Sequence, residues 1–211
     1  SAPSAPQLQA GSDSGLSDNI TNTITPTLTG LADANAWVNV YHDQFGGPLL
    51  GTVQANSSGV WTLTVPALPQ DAGYRFTAKQ MDAAGNLSVA STEVYVKVDT
   101  SVPVPSITSG GASLAAQPVI SGTGGVELSS TITLYDNGSS TAFATFKTKN
   151  TSGAWSYQAT SLTSGSHSIT AMQTDLAGNT STLSIPYVFT IDSTVLGTPS
   201  LATASDTGVV G

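Results

Sequence analysis

Short runs along the first hundred residues alternate apolar and polar positions with the two-residue period of half-buried strands. The alternation predicts strands near Gln7–Ala10, Thr25–Leu31, Trp37–Asp43, Leu49–Ala55, Val60–Val65, Tyr74–Met81 and Leu87–Val98. Turn-forming clusters separate them: Gly46-Gly-Pro48, Asn56-Ser-Ser-Gly59, Asp71-Ala-Gly73 and Asp82-Ala-Ala-Gly-Asn86. Val38 and Val40 share one face of their strand, so they are expected inside with Leu28, Trp61, Leu63 and Phe76. Trp37 and Tyr41 then fall on the opposite, outer face.

The pattern recurs. Ser58-Gly-Val-Trp61 returns as Ser152-Gly-Ala-Trp155, and Asp82-Ala-Ala-Gly-Asn86 as Asp175-Leu-Ala-Gly-Asn179. Pro26-Thr-Leu-Thr-Gly30 matches Pro118-Val-Ile-Ser-Gly122, Val38-Asn-Val40-Tyr41 matches Ile132-Thr-Leu134-Tyr135, and Val98-Asp99-Thr100 matches Ile191-Asp192-Ser193. The period is about ninety residues, the size of an immunoglobulin-like sandwich. A third start, Pro199 to Gly208 with Ser205-Asp206-Thr-Gly208, repeats Pro6 to Gly15 with Ser12-Asp13-Ser-Gly15. The sequence therefore predicts an all-β chain of tandem seven-stranded immunoglobulin-like sandwiches at 1–100 and 101–193, with the first strand of a truncated repeat at 194–211.

Composition sharpens this. Charged residues are 9% of the chain and helix-forming Glu, Lys and Arg are scarce, while Thr and Val are frequent, which favours strands faced with hydroxyls. Net charge is −8 with five Lys and Arg in total, which excludes phosphate recognition by clustered cations and hence a nucleic-acid partner. No run resembles a membrane span or a secretory signal, so no membrane insertion is expected. The Ser/Ala/Pro-rich start reads as the interior of a longer chain. Cysteine is absent, which fits either a reducing compartment or an exported protein stapled by metal.

Taken together, Ser12-Asp13-Ser-Gly15 with Asp18, Pro26-Thr-Leu-Thr-Gly30, Gly59-Val-Trp61, Asp82-Ala-Ala-Gly-Asn86 and Val98-Asp99-Thr100 resemble the bacterial immunoglobulin-like repeats of giant surface adhesins. Those adhesins, biofilm-associated ones among them, are exported by type I secretion. The resemblance implies an extracellular, monomeric rod at the bacterial cell surface, whose neighbours are further repeats of the same chain. It also implies calcium between repeats, with contact to host or biofilm surfaces made through other regions of the parent protein.

The acidic residues point the same way. Of thirteen, eleven are Asp, a bias that suits rigid loops and calcium sites alike. Sandwich connectivity puts Asp13 and Asp18, between the first two strands, at the trailing pole of the first domain together with the linker residue Asp99. Asp175, in the hairpin before the last strand of the second domain, faces them across the junction. These four carboxylates are the candidate ligands of Ca2+, which takes six to eight oxygens in flexible geometry. Turn capping is the competing explanation. Domain 2 has no acid between Pro105 and Pro118, so its own trailing junction is expected to bind calcium weakly or not at all.

No catalytic site is expected, and the chain is read as a non-enzymatic spacer in a secreted adhesin, rigidified by interdomain calcium. His42 and Asp43 are adjacent on a strand and point to opposite faces, and His167 stands apart. Trp61 and Trp155 are expected as core anchors. A glycan- or surface-binding module, with Trp37 and Tyr41 as the contact face, is the alternative. An accessory sandwich of a secreted polysaccharide-degrading enzyme is a further one.

Overall fold

The computed structural model describes residues 1–42, 47–110, 117–124, 129–148, 152–160 and 162–192. The first repeat folds into two facing sheets. One has the order β1-β3-β6, built from β1 (Gln7–Leu8), β3 (Thr27–Leu31) and β6 (Val60–Thr64). The other has the order β2-β8-β7-β4-β5, from β2 (Ile20–Thr21), β4 (Trp37–His42), β5 (Leu49–Gln54), β7 (Ala72–Met81) and β8 (Val94–Val98). The second repeat has β9 (Ser106–Gly110), β10 (Val119–Thr123) and β13 (Ala154–Gln158) in the order β13-β10-β9. Its other sheet is β12-β11-β14-β15, from β11 (Thr131–Asp136), β12 (Ala144–Lys147), β14 (Gly165–Thr174) and β15 (Tyr187–Ile191). The architecture is all-β, as expected. The third start at 194–211 lies outside the described residues, as do Asp43 and part of the Gly46–Pro48 turn.

Each sandwich closes over its own apolar cluster. Leu28, Val38, Val40, Trp61 and Phe76 are buried in the first, with Leu63 packed against them, as the alternation predicts. Ile120, Ile132, Leu134, Trp155, Ile169 and Ile191 are their counterparts in the second. Each tryptophan lies flat against a strand glycine. A Cβ on Gly30 would stand 2.5 Å from Cζ2 of Trp61, and one on Gly122 2.2 Å from that of Trp155. The glycine of each Pro-x-x-x-Gly run is thus what lets the indole in.

Two features depart from the sequence expectation. Residues 20–21 form a separate strand that leaves β1's sheet and pairs in parallel with β8 (Ile20 opposite Lys97, Thr21 opposite Val98). Two residues are too few to carry a period. The last strand of the first repeat is also shorter than predicted: Leu87 makes an isolated bridge to Met81, and the ladder resumes only at Val94; Thr180 bridges Thr174 in the same way in the second.

The cause is a Ser-x-x-Ser bulge, with three steps on one chain facing two on the other. Ser88 N donates to Gln80 O and Ser91 N to Ala78 O, while their hydroxyls accept from Gln80 N (3.1 Å) and Ala78 N (3.0 Å). Ser181 and Ser184 repeat the device on Gln173 N (3.0 Å) and Ala171 N (2.9 Å). Ser184→Ala therefore orphans the amide of fully buried Ala171. The expected loss is about 1–3 kcal/mol, read as a lower second-domain melting transition together with faster exchange of that amide.

Candidate functional site

The junction between the sandwiches is made by the loop between β1 and β2, the linker after β8, and the Asp175–Asn179 hairpin before β15. Ser14 Oγ donates to Ala177 O (2.6 Å) and Leu16 N to Leu176 O (3.4 Å). Across the same gap Asn179 Nδ2 donates to Asp99 O (2.8 Å). Ala177 is fully buried, and Gly15, at φ +73°, lies so close to the hairpin that a Cβ would sit 2.2 Å from Leu176 O. Ser14, Gly15 and Asn179 are junction residues that the sequence pattern does not single out. Their motifs were legible, but not that each offers a short polar arm or a bare backbone to the opposite domain.

The loops of the predicted ligands meet here, yet their carboxylates have separate engagements. Asp175 caps its own hairpin: its Oδ1 accepts from Asn179 N and its Oδ2 from Asn179 Nδ2, both at 2.8 Å. Asp99 is buried and accepts from Lys97 Nζ at 2.7 Å, an ion pair set by the i, i+2 spacing that puts both side chains on one strand face. Asp18 is exposed and caps Ile20 N (3.0 Å) in a local turn. Asp13 is different: Oδ2 is reached only weakly by Asn19 N (3.5 Å), and Oδ1 is buried with no hydrogen-bond partner. Among the described residues, no three acidic or histidine side chains stand together closely enough to hold a metal ion.

The leading pole of the first sandwich carries the equivalent hairpin, Asp82–Asn86. Asn86 Nδ2 and N donate to Asp82, holding its carboxyl below the usual carboxylate range. A Cβ on Gly85 would meet nothing, whereas Gly178 lies against Gly15. This pole opens into a cleft of about 720 Å³ lined by Asp33, Trp37, Gln54, Gln80 and Asp82, with Trp37 45% exposed at its wall. Its polar groups largely satisfy one another, since Gln80 Nε2 donates to Asp33 Oδ2 (2.7 Å) and Gln54 Nε2 to Asn35 O (3.0 Å). Tyr41, on the same outer face, lies under the Lys79 ammonium at 5.6 Å.

The two histidines sit in different surroundings. His42 packs on the rings of Tyr74 and Phe76. His167 lies inside β14, 5% exposed, with Nδ1 on Asp136 Oδ2 (2.7 Å) and Nε2 on Thr163 O (2.8 Å). A carbonyl only accepts, so Nε2 carries a proton and has no lone pair for base catalysis.

The family model for the bacterial Ig-like domain matches residues 1–100 and 111–193. Chitinase A1 of Niallia circulans is 37% identical over 87 residues, 41% of this chain and 12% of that enzyme, so the chain spans a small part of that relative. Similar solved structures include the BSP domain of a biofilm associated protein (19% identity, 92% of this chain, 30% of that one, TM-score 0.34). Another is a tetra-tandem repeat from the extending region of a large adhesion protein (18% identity, 91% of this chain, 50% of that one, TM-score 0.41).

Proposed function

The chain belongs to the bacterial Ig-like domain family, and on that premise we propose that it is a spacer segment in the stalk of an extracellular, type I-secreted adhesin. Its work is to hold successive repeats in a fixed relation. One observation carries the reading: the trailing loop of one repeat docks directly on the leading hairpin of the next, through hydrogen bonds from both sides. A flexible linker would need no such fit. The matching hairpin at Asp82–Asn86 offers the same surface to a preceding repeat with a Ser-Asp-Ser-Gly loop.

Calcium at this junction is the second half of the proposal. The donor set suits it through Asp13, whose buried Oδ1 lacks any partner and carries charge that a cation would balance. Asp99 is the natural second ligand, sharing or releasing Lys97, while Asp18 and Asp175 would join by giving up local caps. Bound calcium would neutralise these carboxylates and tie the two domains by one ion. An ion that binds only the docked arrangement stabilises it by about 2.7 kcal/mol at a hundredfold excess over its dissociation constant.

Calorimetric titration of the chelator-treated chain with CaCl2 tests this. Binding heat is expected in the native sequence and a tenfold or greater loss of affinity in Asp13→Asn, about 1.4 kcal/mol. No binding of calcium by the native chain would remove the ion from the proposal, and the hydrogen-bonded docking alone would then have to hold the joint.

A further inference from the structure

Tyr74 and His167 occupy the same place in the two repeats, each eight residues before the Asp of the Asp-x-Ala-Gly-Asn hairpin. In the first sandwich Tyr74 Oη donates to Pro69 O at 2.7 Å. This is the tyrosine corner that ties the start of a strand to the chain just upstream. In the second sandwich the ring is an imidazole, and Nε2 makes the equivalent tie to Thr163 O at 2.8 Å. The partner position has changed too. His42, whose ring packs 5.1 Å from that of Tyr74, is replaced in the second repeat by Asp136, 2.7 Å from Nδ1 of His167.

The acceptors assign the protons. Thr163 O and the Asp136 carboxylate both only accept, so the two ties are made together when both ring nitrogens donate, that is, when the ring is an imidazolium. Losing either proton leaves a nitrogen lone pair facing an oxygen and breaks one of the two ties. Asp136 in turn holds β14 by accepting from Ser168 N (3.2 Å), alongside Asn137 Oδ1 (3.0 Å). Among the described residues, Asp136 is the charged group that acts on the ring. Asp136 is the carboxylate that β11 turns to the ring, β15 packs Phe189 against it at 5.7 Å, and β9 carries no ionisable side chain.

We propose that the second sandwich carries a titratable corner, in which protonated His167 ties β14 to β11 and to the preceding connection, so that this repeat loosens as His167 loses its proton while the first does not. Burial alone would push the imidazole down, but the Thr163 carbonyl and then Asp136 outweigh it, and the net displacement is upward. For a histidine raised on folding, the extra stability is fully present below the unfolded value near 6.5 and is lost as pH rises through the folded value. The device makes the second sandwich firmer in mild acid, and it stands whether or not the chain is a spacer.

Two measurements on the whole chain test it. An NMR titration of the imidazole signals, assigned with His167→Gln, is expected to place the His167 midpoint above that of a free imidazole. A midpoint at or below it overturns the proposal. Hydrogen-exchange protection of β14, referenced to β7 in the same molecule, is expected to fall as pH rises past that midpoint. The fall should be about tenfold for each pH unit separating folded and unfolded values. In His167→Tyr, which restores the corner of the first repeat, and in His167→Gln, the β14-to-β7 ratio should not depend on pH. A native chain whose ratio is already flat would contradict the titratable corner, even if the tyrosine variant fails to fold.

Discussion

Trp61→Ala is expected to lower the melting transition of the first sandwich steeply while leaving that of the second in place. Trp61 is 1% exposed at the centre of the first core, and truncating a buried tryptophan costs about 3–5 kcal/mol. A domain of this size shifts by roughly 4–8 °C per kcal/mol, so the two transitions should separate clearly in a scan. Little can move into the space, because the face of the indole rests on the bare backbone of Gly30. Trp61→Phe should cost much less. The indole N–H is buried without a partner, and phenylalanine removes that burden along with part of the ring. Transitions that move together would mean the two repeats melt as one unit. No shift at all would mean Trp61 does not anchor the core.

The second large effect is expected at Gly15, in the joint instead of either core. Its backbone is left-handed at φ +73°, and a side chain would run into Leu176 O, Gly178 N and Ala177 C at 2.2, 2.9 and 3.0 Å. Gly15→Val meets both obstacles, and the left-handed backbone alone costs about 1–2 kcal/mol for a residue with a Cβ. Gly15→Asn tolerates that backbone better, so it isolates the collision with the second sandwich. Both variants should keep two folded domains yet release the contacts of Ser14 and Leu16 with the hairpin. Nitrogen-15 relaxation should then change from one common tumbling time to two distinct ones. A common tumbling time in both variants would show that the docked loop does not hold the joint.

Much of the fold was legible because burial alternates strictly where a strand has one face in the core. Val38, Val40, Ile132 and Leu134 are fully buried on that pattern, and the repeated Trp and Asp-x-Ala-Gly-Asn landmarks fixed the register between copies. The pattern fails where side chains replace the ladder. Ser88, Ser91, Ser181 and Ser184 read as surface polarity, yet their hydroxyls stand in for strand carbonyls and shorten the last strand of each repeat.

The candidate site was legible as a place more than as a ligand set. Strand connectivity brings the loops of Asp13, Asp99 and Asp175 to one junction. It could not reveal that Lys97 answers Asp99, that Asn179 engages both oxygens of Asp175, or that, of these carboxylates, Asp13 keeps a buried oxygen unmet. Those outcomes depend on side-chain reach of a few ångströms. The Asp136–His167 pair, 31 residues apart, left no signal in the sequence, because it depends on the register in which β11 pairs with β14.

Whether calcium stiffens the joint is read most directly by small-angle X-ray scattering of the chain in millimolar calcium and again in chelator. A single narrow distribution of interdomain arrangements is expected with calcium, and a broader, shorter-averaged one without it. In Asp13→Asn the curve in calcium should resemble the native curve in chelator. Superimposable native curves that both require a broad ensemble would contradict a rigid spacer at this joint.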